Sequence, residues 1–91
     1  MPETVVGGYT PFSCKLSAEA RAAFDETLGK LLGVTYSAVA AASQVVNGTN
    51  YRYLANADAI TNPPQSYPVL AVVHVPRPGE GKPQITSIEK L

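Results

Sequence analysis

The sequence predicts an α+β domain in which an antiparallel β-sheet packs on one α-helix. Three observations carry this: one helical apolar pattern near the N-terminus, an Asn47-Gly48 hairpin signal, and later strand-like runs separated by Pro- and Gly-rich stretches. A helix followed by several strands, rather than alternating with them, is the α+β order. With 91 residues the chain forms one domain, 1–91, because cores divide only beyond roughly 250 residues.

Residues 1–13 hold Pro2, Gly7, Gly8 and Pro11 and read as a flexible N-terminal arm, with room for one short strand. Such an arm is either a disordered tail or a segment that orders on a partner. Ser17 to Leu32 is the expected helix. Ser17 suits the N-cap, and Glu19, Asp25 and Glu26 lie towards the positive end of the dipole. Ala20, Phe24, Leu28, Leu31 and Leu32 form the apolar face, Lys30 sits in the last turn, and Gly33 suits the position after it.

Val34 to Val46 is ambiguous by propensity, since its alanines favour helix while its valines, Thr35 and Tyr36 favour strand. The Asn47-Gly48 that follows, and the strand-like Tyr51-Arg52-Tyr53-Leu54 beyond it, decide for a hairpin. Small side chains at Ala38, Ala40, Ala42, Ala55, Ala57 and Ala59 would let a helix lie close to the sheet. Asn62-Pro63-Pro64-Gln65-Ser66 reads as a turn or loop whose prolines must end strand pairing, Val69 to Val75 as a central strand, 76–83 as a second loop, and Ile85 to Ile88 as a final strand.

Seven Lys and Arg balance seven Asp and Glu, which argues against a nucleic-acid or acidic-membrane binder. A single Cys14 excludes an internal disulfide framework and a multi-thiolate zinc site. With one histidine besides, no metal, cofactor or catalytic residue is expected. The N-terminus carries no signal-peptide pattern, and no run approaches the ~20 apolar residues of a membrane helix, so the expected location is cytoplasmic. Asn47-Gly48-Thr49 fits a glycosylation sequon, but such a location would leave it unmodified. Cys14 is expected half-buried near the helix start, Tyr51 and Tyr53 in the sheet and core, and His74 as a cross-strand, partly buried residue.

Gln44-Val45-Val46-Asn47-Gly48 fits the pattern Gln-x-Val-x-Gly and continues Thr49-Asn50-Tyr51. This resembles the first hairpin loop of the cystatins, most closely the stefins, single-domain cytosolic inhibitors of papain-like cysteine proteases. Gly7-Gly8 ahead of the helix, and a Pro-bearing second loop leading into Lys82-Pro83 and a last strand, fall where that family has them. The resemblance covers roughly Gly7 to Ile88.

The resemblance implies a cystatin-like sheet wrapped around the helix and a reversible, competitive, tight-binding inhibitor of papain-like, cathepsin-type cysteine proteases. Arm and two loops would form one wedge that occludes the protease cleft. The implied protease-binding residues are Gly7, Gly8, Gln44, Val45, Val46, Asn47, Gly48, Pro76, Arg77 and Pro78, with Val5 and Val6 available to substrate-side pockets. The second loop departs from the family's Pro-Trp, or Leu-Pro in stefins. This chain has no Trp, and the matching pair is Arg77-Pro78, or Val75-Pro76 if two residues are inserted. The implied state is a monomer able to exchange halves with a second copy at the first loop. Two alternatives stand beside it. One is a cystatin-fold module that binds another protein without inhibiting a protease. The other is an enzyme using Cys14 and His74, although neither has an evident activating neighbour.

Overall fold

The structure, a computed structural model, describes residues 8–91. Helix α1 (Ala18–Glu26) and a 3-10 turn (Leu28–Lys30) precede strands β1 (Val34–Val46), β2 (Gly48–Ala59), β3 (Gln65–Val75) and β4 (Gln84–Lys90). The four strands form one antiparallel sheet in sequential order, so the domain is α+β as expected.

α1 starts where the sequence places it. The Ser17 side chain accepts a hydrogen bond from the Ala20 backbone N–H at 3.1 Å, satisfying one of the unpaired donors of the first turn. The helix stops at Glu26, short of the predicted Leu32. Thr27 takes φ −113° and ψ −81°, off the helix, while its hydroxyl donates to the Ala23 carbonyl at 2.7 Å. Such a side-chain bond to the preceding turn competes with the helix ladder, and Gly29 two residues on adds no helical preference. Leu31 is already extended, so Leu31 and Leu32 leave the apolar face, and Leu32 is 97% exposed. Gly33, with φ +86°, turns the chain into β1 instead of capping a helix.

Ala20, Ala23, Phe24 and Leu28 pack on Tyr53, Ala55, Ala57, Val69, Ala71 and Val73 from the inner face of β2 and β3. Three of those six sheet residues are alanines, which lets the helix sit close, and the Tyr53 hydroxyl donates to the Ala20 carbonyl at 2.8 Å. Phe24 meets the Tyr53 ring edge-on, with centroids 5.1 Å apart. Burying Phe24 and Leu28 stabilises by about 1.5–3 kcal/mol each.

A bulge at Val39 changes the expected role of two alanines. Ala38 stands opposite Ala55, but Ala40 stands opposite Leu54, so the side chains of β1 switch faces between them. Beyond the bulge it is Ala41 that pairs with buried Tyr53 and packs on the core. Ala40 and Ala42 are buried on the other face, away from the helix.

Residues 10–13 lie along the edge of β1, joined to it by an isolated bridge rather than a full strand. Thr10 N–H donates to the Ser43 carbonyl, and Ser13 and Ala41 exchange two backbone bonds, all at 2.9 Å. The Tyr9 ring covers the Arg52 guanidinium at 3.9 Å, on the face that Ala42 shares with Arg52. The expectations for Gly7, Val5 and Val6 lie outside the described residues. Among the described residues no helix is long and apolar enough to cross a membrane.

Candidate functional site

The end of the sheet where β1 turns into β2 gathers most of the residues singled out in the sequence. β1 and β2 stay in register up to Val46 opposite Gly48, leaving Asn47 alone at the tip. The turn is thus one residue tighter than the expected Asn47-Gly48 pair. Gly48 adopts φ +103°, and a Cβ there would collide with the Val75 carbonyl oxygen. The glycine therefore lets the backbone of the first loop close against the end of β3. This close approach ties the first loop to Pro76 at the start of the second, whose Cα lies 3.1 Å from that Cβ position.

Val45 and Val46 are 72% and 42% exposed at this tip. Exposed valines at a hairpin end gain a monomer little. The second loop, 76–83, is punctuated by Pro76, Pro78 and Pro83 and tightened by a Glu80 N–H bond to the Arg77 carbonyl at 2.9 Å. Arg77 and Pro78 are exposed in it, while Pro76 is half-buried. The segment 10–13 runs antiparallel to β1, pairing Ser13 with Ala41 and then Thr10 with Ser43, so it heads towards Val45 at its Thr10 end. The structure thus brings Gln44 to Gly48 and Pro76 to Pro78 to one end of the sheet, with Thr10 beside Ser43 as the arm's nearest bonded residue.

Behind the tip, on the helix side, is an open cleft of about 610 Å³. Val45, Val46, Val75, Pro76 and Pro83 supply apolar lining, with Glu19 and Glu26 on the helix wall. Tyr51 also lines it, and burial, with the Glu19 carboxylate second, raises its phenol pKa above the ordinary value. Sequence reasoning missed Glu19 and Glu26 as neighbours of the tip, because only the packing of α1 brings them there.

On the opposite face a polar row crosses the sheet just below the tip. Asn50 stands between Gln44 of β1 and His74 of β3 in the strand register. Its Nδ2 donates to Gln44 Oε1 at 3.0 Å, and its Oδ1 lies 2.7 Å from His74 Nδ1. Gln44 thus pairs across the hairpin with Asn50, and His74 is the partly buried cross-strand histidine expected. Cys14 is exposed rather than half-buried, because residues 14–16 cross from the β1 edge to α1 over the surface. Among the described residues no group of three or more His, Cys, Asp or Glu side chains is placed to hold a metal ion.

No family model, no curated protein and no solved structure matches this chain.

Proposed function

We propose that this protein is a cystatin-like, reversible and competitive inhibitor of papain-like cysteine proteases, stefin-like in having one domain and no disulfide. The observation that carries the reading is the convergence of two loops at one end of the sheet. The Val45–Gly48 tip and the Pro76–Pro78 loop lie together there, with Val45 and Val46 exposed, and the arm runs up beside β1 as far as Thr10 opposite Ser43. Such an edge can enter a cleft without offering it a reactive group. Two loops braced on each other are ordered before binding, which lowers the entropic cost of association. The interface would be of standard size, ~1,600 Å² in total. The working form is a monomer, with the hinge at Asn47 as the place where two copies could exchange halves.

The direct test is inhibition of papain turnover by wild type and by Val45→Asp. Gly48→Arg, the obvious loop-blocking change, would disturb the fold through the Val75 contact and so reads stability as much as binding. Full papain activity in the presence of excess folded wild type would sink the reading. Retention of a different protein on the same edge, lost in Val45→Asp, would then favour a non-inhibitory binding module.

A further inference from the structure

The polar row beneath the first loop has a direction set by how the Asn50 amide is turned, with Oδ1 towards His74 and Nδ2 towards Gln44. A carbonyl oxygen cannot donate, so the 2.7 Å contact to Asn50 Oδ1 requires a proton on His74 Nδ1. The Asn50 amide nitrogen passes the order on by donating to Gln44 Oε1 at 3.0 Å. The chain of bonds runs from β3 through β2 to β1, joining residues 24 and then 6 positions apart in sequence. It is the last side-chain row on that face before the tip, because the next register step is Val46 opposite Gly48 through Asn47. The imidazole also backs the tip sterically, with His74 Cε1 3.3 Å from where a Gly48 Cβ would stand. Asparagine is depleted in strand interiors, yet Asn50 sits in β2 with both its polar groups used.

We propose that His74 is a positioning residue for the protease-binding tip, acting as a fixed Nδ1–H donor that orients Asn50 and through it Gln44, the residue that leads into Val45 and Val46. The inference rests on the binding edge proposed above. The row locks the strand on each side of the first loop to the strand that leads into the second, so both loops take their positions from one hydrogen-bonded line. A donor at position 74 is what the row needs; the imidazole's charge is not. Glutamine, whose amide can donate to Asn50, should replace histidine, while leucine of similar bulk leaves a partly buried Asn50 oxygen unpaired.

Two measurements on the full chain test this. Long-range ¹H–¹⁵N spectra of the neutral imidazole should show the Nδ1–H tautomer. His74→Gln should inhibit papain within about two-fold of wild type, and His74→Leu about ten-fold more weakly, the loss expected for an unsatisfied buried acceptor. Backbone shifts at Val45 to Asn47 should move in His74→Leu and stay near wild type in His74→Gln. If wild type does not inhibit papain at all, the proposed function fails, and the row is still decided by the tautomer and the loop shifts. An Nε2–H tautomer, or a His74→Leu variant indistinguishable from His74→Gln, overturns the inference.

Discussion

At the scale of single residues, Gly48 and Val45 divide the first loop into what the fold needs and what a partner would need. Gly48 has positive φ and a carbonyl where its Cβ would be. Gly48→Ala should therefore cost about 2–4 kcal/mol, combining backbone strain with overpacking, as read by urea denaturation. Val45 is 72% exposed and lies outside the buried core. Val45→Asp should leave that stability within about 0.5 kcal/mol of wild type. The same change should weaken papain inhibition about 100-fold, as loss of a central apolar contact does. The Asn-Gly pair made the turn legible in the sequence. It could not show that the glycine faces β3, because that contact depends on where the β3 end arrives. The exposure of Cys14 is hidden for a related reason: burial of a single residue in a crossing segment has no periodic signal.

At the scale of elements, the sequence located every strand but not the end of the helix or the bulge. Pro and Gly marked most strand ends, because their backbone limits act locally, but β3 begins at Gln65, not Val69, pairing Gln65 and Ser66 with β2 and taking Pro68 within it. The helix end depends on Thr27, a residue of ordinary helix propensity whose hydroxyl bond to Ala23 forms only in the folded turn. The bulge at Val39 was hidden inside an alanine-rich run, where swapping faces changes no pattern of polar and apolar residues. The helix–sheet contact yields its own prediction. Burial first, then the neighbouring Tyr51 and Asp25, raises the Tyr53 phenol pKa well above the usual range. A raised phenol pKa means that the fold favours the neutral form. Its stability contribution is then whole below about pH 10, the unfolded tyrosine value, and is lost as pH climbs through the folded one. Urea midpoints should hold from pH 7 to 9 and fall by pH 11. Tyr53→Phe should start about 1 kcal/mol less stable, from the lost bond to Ala20, and show a smaller alkaline fall.

At the scale of the whole molecule, the sheet order puts the two loops at one end and the Pro63-Pro64 connection at the other. That polarity could be anticipated from the order of elements, since sequential hairpins alternate ends. The braced contact between loops and the polar row across three strands could not, because both join residues far apart in sequence. On the proposed function, the exposed valines Val45 and Val46 mark where contact with a protease would occur. The central claim is therefore best tested by titrating active papain with the folded protein while following substrate turnover. Turnover should fall linearly to near zero at equimolar inhibitor and return when excess substrate displaces it. Undiminished turnover at a several-fold excess of folded protein would contradict it.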